Sequence, residues 1–427
     1  MLHRLPPALL LAAFILLPSI ASAAEPLPFY LRAGDRVLFY GDSITEQRLY
    51  TTFVETFVLT RFPTLPVTFI NSGWGGDRVT GGVGGPIATR LERDVFAHDP
   101  TVLTIMLGMN DGRYRPFEDD LFLAYTQGYL SILETIAQRL PDARITLIAP
   151  SPYDDVTRPQ NFPGGYNAVL RRFGDFIQES ATRRRLTFVN FNDPVVAMLQ
   201  KAHATDPALS VQIIADRVHP GPGAHLIMAS ALLRAWNAPG TISTVDLETT
   251  APQRVGQERT TVSDLAIGRE ITWTQLDQSL PFPLDLADAP FALAVRSSDF
   301  ITTFNRQILR VSGLTDPSYR LTIDDTEVGV FTAAQLAEGI NLATLPTPML
   351  RQAARVAELT HSRSEESFWR WQQIQLRLFD APGRNPALAP IRSAVLQALE
   401  ADEARIVTQQ RAAAQPVPRR YRLSPAQ

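Results

Sequence analysis

Ser43 lies in Gly41-Asp42-Ser43-Ile44-Thr45, between an apolar run and an apolar-periodic stretch. A serine at a strand-to-helix turn holds its hydroxyl at the carboxyl edge of a sheet. Its backbone N–H then lies near a helix N-terminus, where negative charge is stabilised. Both features suit a nucleophile, although a capped turn explains this segment by itself more simply. Asn71-Ser-Gly73-Trp74-Gly75-Gly76-Asp77-Arg78 follows a second apolar run. Its glycines allow positive φ and close backbone approach, so an N–H here can face an oxyanion. Judged alone, the segment reads as a flexible loop. Leu107-Gly108-Met109-Asn110-Asp111 follows a third run, and an Asn amide at a strand end is a fixed donor or an ordinary turn residue.

Asp216-Arg-Val-His219-Pro220 precedes the last apolar helix of this part of the chain. A serine needs a base, and histidine is the usual one near neutral pH. The imidazole in turn needs a carboxylate to fix its tautomer and stabilise its charged form. Asp216, three residues away, is placed to do this. The chain has six histidines. His3 sits in the leader, and His98, His203 and His361 lack such a partner. His225 is the one competitor and reads as a residue of the last helix. Asp42, Asp111 and His219 can be imagined around a metal, but no H-x-H or H-E-x-x-H spacing is present. Neither metal nor cofactor is expected.

The elements that must hold these residues alternate strand and helix. Apolar runs at 36–40, 67–70, 102–107, 145–148 and 186–191 read as five buried strands. Helical stretches lie at 51–62, 87–98, 121–140, 166–182 and 224–236. Near-continuous apolar strands separated by helices predict a parallel sheet covered on both faces, a three-layer α/β/α domain. Sites in such sheets lie beyond the carboxyl ends of the strands.

Taken together and in order, the four segments resemble the GDSL or SGNH hydrolase family over about residues 33–238. The resemblance implies a flavodoxin-like sheet and a serine esterase. It implies Ser43 as nucleophile, with Asp216 and His219 completing a triad. Ser43 N–H, Gly76 N–H and the Asn110 side chain would form the oxyanion hole. Block one reads GDSIT where family members often have GDSL, and Gly75 stands where block two usually has serine.

Trp74, Asp77, Arg78, Arg113 and Tyr153, with Tyr114, Asp154 and Arg158, all follow expected strand ends and are candidates for substrate contact. This polar and aromatic set resembles that of family members acting on acetylated sugars. A carbohydrate O-acetylesterase is therefore the first expectation. A general short-chain esterase or lysophospholipase-like enzyme is the second, and a non-catalytic secreted glycan-binding protein the distant third.

The composition agrees with a folded hydrolase. The chain of 427 residues has a net charge of −3, 45% hydrophobic residues and no cysteine. These values exclude a disordered chain, a disulfide scaffold, a thiolate metal site and a cysteine nucleophile. Near-neutral charge argues against nucleic acid as a partner. His3 and Arg4, an apolar run from Ala8 to Leu17 and a small-residue stretch at 21–24 have the pattern of a secretory signal peptide over residues 1–23. Cleavage is expected near Ala23 or Ala24, with export and no stable membrane insertion afterwards. Residues 24–238 then form the hydrolase domain, and 239–427 a second region. In that region 238–265 reads as an irregular linker, 265–345 as β-rich, 346–411 as helical and 412–427 as a frayed tail. Phe368-Trp-Arg-Trp371 reads more readily as helix packing than as a sugar platform.

Overall fold

The computed structural model describes residues 28–380 and 386–426. The expected leader and its cleavage site lie outside the described residues. Strands β1 (Arg36–Gly41), β2 (Thr68–Gly73), β3 (Val102–Met106), β4 (Arg144–Ala149) and β5 (Thr187–Asn190) form one sheet. All four pairings are parallel, in the order β2-β1-β3-β4-β5. Val37, Leu38, Phe39 and Tyr40 are all fully buried, as continuous apolar strands covered on both faces require.

Helices α1 (Ser43–Glu46), α2 (Leu49–Arg61), α3 (Ile87–Asp94), α4 (Asp119–Arg139), α5 (Gly165–Arg184), α6 (Asn192–Thr205) and α7 (Pro222–Ala235) surround the sheet. Right-handed crossovers put α2 on one face and α3, α4 and α5 on the other, because the strand order reverses after β2. α7 returns to the face of α2 and packs on it, and α6 packs on α7. On the opposite face, Tyr125 of α4 stacks on Phe173 of α5 at 4.2 Å. The sequence reading omits α6, although its buried Val195, Met198, Leu199 and Ala202 keep helical spacing.

Two stretches beyond residue 238 correct the sequence reading. The supposed linker contains β6 (Thr241–Glu248), β7 (Arg254–Glu258) and the start of β8 (Thr260–Ile267). The supposed frayed tail ends in a strand, Arg419–Pro425. With β9 (Ile271–Asp277), β10 (Arg306–Ser312), β11 (Ser318–Ile323), β12 (Thr326–Thr332), β13 (Ile340–Asn341) and β14 (Arg419–Pro425), two further sheets form, ordered β8-β9-β14-β11-β12 and β13-β10-β6-β7. The tail is thus the central strand of its sheet, with Tyr421 and Leu423 fully buried. Both partners of β14 lie about a hundred residues or more away in sequence, so no local period announces it.

The longer helices of this region are α8 (Ala289–Arg296), α9 (Ala333–Glu338), α10 (Pro348–Phe368) and α11 (Ala389–Ala414). Thr332 and Gln335 close the capping box expected at the start of α9. α10 continues into a π-helical stretch, Trp369–Phe379. It packs along both α2 and α11. The two cores interlock: Phe282, Phe291, Phe300 and Phe304 join the core of the parallel sheet, whereas Leu59 of α2 joins the C-terminal core. Across this seam Arg363 of α10 makes a two-armed ion pair with Glu55 of α2 at 2.9 and 2.5 Å.

Candidate active site

β1 ends in Gly41, whose backbone packs so closely on α1 that a Cβ would meet Thr45 Oγ1 at 2.2 Å. Asp42 then caps α1 by accepting the Ile44 N–H, and Ser43 opens the helix. Ser43 and His219 are bonded, Oγ to Nε2, at 2.9 Å. His219 Nδ1 meets Asp216 Oδ2 at 2.6 Å. The other oxygen of Asp216 accepts the N–H groups of Val218 and His219, at 2.9 and 2.7 Å. Burial alone would raise the Asp216 carboxyl; the His219 backbone N–H, the imidazole and the Val218 N–H outweigh it and hold the carboxyl below its usual range. The sequence thus folds Asp-x-x-His into a tight turn that satisfies the carboxylate before any substrate binds.

This turn is held from outside. Arg158 donates to the carbonyls of Val211, Ile214 and Ala215, at 2.8–2.9 Å. Arg217, at φ +71°, donates to the Pro159 carbonyl. Arg158 and Asp154, which pair at 3.2 Å, therefore anchor the turn from below.

Three backbone or side-chain donors were expected to serve an oxyanion: Ser43, Gly76 and Asn110. Gly76, at φ +72°, sits at the tip of the loop after β2. Among the described residues, neither the Ser43 N–H nor the Gly76 N–H donates to any protein group. Asn110 Nδ2 donates to the Asp77 carbonyl at 3.0 Å, and Asn110 Oδ1 accepts from the Tyr114 hydroxyl at 2.7 Å. The amide is thereby oriented, with its second N–H left for a ligand. Loss of water contact, then nearby Asp42 and Asp216, push the Tyr114 hydroxyl up to about 12, so it stays a donor. Sequence reasoning placed Tyr114 only in the lining; its hold on Asn110 depends on a positive φ of +57° that no motif announces.

The matched family fits this placement. Residues 39–227 match the family model of the GDSL-like lipase/acylhydrolase family. Over its parallel sheet the chain is similar to the GDSL-like lipase/acylhydrolase family. The chain is 25% identical over 224 residues to an acetylxylan esterase of Geobacillus stearothermophilus, covering 47% of this chain and 94% of the relative. A solved structure of that organism's acetylxylan esterase Axe2 is 23% identical, covers 49% of this chain and 96% of its own, and superposes with a TM-score of 0.40. A likeness spanning both regions is to BT4096, a gut microbial diltiazem-metabolizing enzyme. It is 28% identical, covers 93% of this chain and 98% of that one, and has a TM-score of 0.79. Acylhydrolases of this kind act on carboxylic esters.

The structure places the other candidates unevenly. Arg113 is exposed and Arg78 half-buried. Trp74, Asp77 and Tyr153 are buried, which corrects their reading as substrate contacts. Asp77 is ion-paired to buried Arg90 at 2.5 Å. Trp74 lies between the guanidiniums of Arg90 and Arg93 and the edge of Trp371. The Tyr153 hydroxyl accepts from Asn161 at 2.7 Å. The loop after β2 folds back under itself, and α3 supplies its countercharge. Asp42, Asp111 and His219 are each engaged elsewhere: Asp111 accepts the Val79 N–H at 3.0 Å. Burial foremost pushes both Asp42 and Asp111 up to about 7.

His225 is excluded as a competing base. Its Nδ1 accepts the Tyr50 N–H at 3.2 Å, so its proton sits on Nε2, facing Gln47 Oε1. Burial, then the neighbouring His219, lowers it to about 3, and it stays neutral.

Proposed function

We propose that this protein is a secreted serine esterase whose nucleophile is Ser43. The observation that carries the reading is the unbroken relay from Ser43 Oγ through His219 to Asp216. His219 Nε2 takes the Ser43 proton as Oγ attacks the ester carbonyl. The oxyanion is received by the N–H groups of Ser43 and Gly76 and by the Asn110 amide. His219 then protonates the leaving alcohol, and water cleaves the acyl-enzyme by the same steps in reverse. Asp216 holds the imidazole tautomer and stabilises its charged form throughout.

The substrate we favour is an acetylated carbohydrate. His219 and Asp216 are 39% and 56% exposed at their side chains, so the relay opens to solvent. An open, polar rim with Arg78 and Arg113 suits a short acyl group on a large hydrophilic alcohol; a long acyl chain needs an apolar cavity. The acetylxylan esterase relative supports the same class. The likeness to BT4096 across both regions favours, as a second reading, a short-chain esterase acting on small-molecule esters. For location, no helix among the described residues is long and apolar enough to cross a membrane. The leader pattern supports export.

The test is hydrolysis of p-nitrophenyl acetate and of acetylated xylan by the wild type and Ser43→Ala. The variant should fold and lose turnover of both; retained turnover removes Ser43 from its role. Faster cleavage of p-nitrophenyl acetate with no release of acetate from xylan would select the second reading.

A further inference from the structure

The C-terminal region reaches the donor loop through its π-helical stretch. Trp371, 8% exposed, sets its ring edge-on to Trp74, with centroids 5.7 Å apart. Gln372, 1% exposed, donates from Nε2 to Glu46 Oε1 at 2.6 Å. One turn earlier, Arg48 pairs with Glu365 at 2.5 Å and lies 4.1 Å over the Phe368 ring. Arg48 also donates to the Glu46 carbonyl at 2.9 Å.

Glu46 is the last residue of α1, the helix that Ser43 opens. Its other carboxylate oxygen lies 2.9 Å from where a Cβ on Gly75 would stand. The Gly73 backbone is packed still tighter, with a Cβ there meeting the Glu46 N at 2.1 Å. The Glu46 side chain therefore rests on the glycine that precedes Gly76. Two adjacent glycines leave a loop many conformations, and fixing them costs backbone entropy. Buried contacts on both flanks, Trp74–Trp371 and Glu46–Gln372, supply that ordering.

We propose that Gln372 and Trp371 are positioning residues for the donor loop, holding the Gly76 N–H toward Ser43 through Glu46 and Trp74. The proposal rests on the esterase reading above. The C-terminal region is then part of the catalytic apparatus, although it lends no group to the reacting atoms. A donor displaced by about 1 Å can cost up to about a hundredfold in rate.

The experiment compares kcat and KM for p-nitrophenyl acetate in the full chain. Ser43→Ala comes first: wild-type turnover in that variant defeats the esterase reading itself, and its loss leaves the positioning claim to be judged separately. Gln372→Glu sets two carboxylates against each other. It should lower kcat about tenfold or more, with KM within about twofold. Adding Glu46→Gln exchanges donor and acceptor and should restore kcat to within about threefold of wild type. Should Gln372→Glu not fold, Gln372→Met, which keeps the length and removes the donor, should show the same fall in kcat. Wild-type kcat in the folded single variant overturns the proposal. So does a rise in KM alone, or a failed rescue in a double variant whose melting temperature is normal.

Discussion

Asn110 is the residue whose partners say most about catalysis. One amide hydrogen is spent on the Asp77 carbonyl and the amide oxygen on Tyr114, so the amide plane is fixed. Asn110→Ala should reduce kcat by about 10²–10³ with little change in KM, measured on p-nitrophenyl acetate. Tyr114→Phe keeps the ring and removes the hydroxyl that holds the amide. It should give a smaller fall in kcat, about three- to tenfold, in line with one neutral hydrogen bond of about 1 kcal/mol. A larger effect on KM than on kcat would assign Tyr114 to substrate instead. Asp111 offers a stability test. Its carboxyl is raised to about 7 by burial and accepts the Val79 N–H. A folded value above the unfolded one means that the native state binds the extra proton, so stability falls as pH rises from about 4 to 7. Asp111→Asn keeps an acceptor and cannot ionise. It should raise the melting temperature more at pH 8 than at pH 5; an equal shift at both would refute the assignment.

At the scale of elements, the Asp216–His219 turn is legible as a motif, but its support is not. Arg158 lies some fifty residues earlier and donates to three carbonyls of the segment that leads into the turn. Hydrogen bonds from a charged group are worth about 1.5–3 kcal/mol each, discounted where solvent reaches them. Arg158→Met should destabilise the fold by about 2–4 kcal/mol in denaturant melts and lower kcat as the His219 ring loses its register. The loop after β2 makes the complementary point. Its motif suggests the glycines as the place for a donor. The same spacing suggests Trp74 and Asp77 as lining, yet both turn inward, because Arg90 on α3 offers a buried countercharge. A strand end specifies where a loop begins, not which of its side chains faces the ligand.

For the molecule as a whole, the two regions share buried charge as well as apolar core. Glu55 and Arg363 pair across the seam, and Gln410 of α11 also donates to Glu55 at 3.0 Å. Removing one partner strands the other without compensation, which costs about 3–5 kcal/mol. Glu55→Ala should therefore lose stability on that order in urea melts. By the same reasoning a chain truncated after Asn237 leaves Glu55 unpaired and uncovers Leu59. It should fail to accumulate as a soluble domain; a stable, active truncation would show that the seam is dispensable.

Much of the parallel sheet was readable because its signals are local. Apolar runs mark buried strands, glycines and short polar motifs mark their carboxyl ends, and chirality restricts how the crossovers pass. The candidate relay was readable for the same reason, since Ser43, Asn110 and the Asp216–His219 turn each sit where a strand or loop ends. Tertiary structure alone decided the rest. Thr241–Glu248 and Arg419–Pro425 carry too little apolar period to declare themselves, and become strands because distant neighbours supply their hydrogen bonds and cover their buried faces. Trp371 meets Trp74 of the loop after β2, and Gln372 meets Glu46 of α1, from some three hundred residues away. Contacts of that separation depend on how whole elements pack, and no spacing along the chain encodes them.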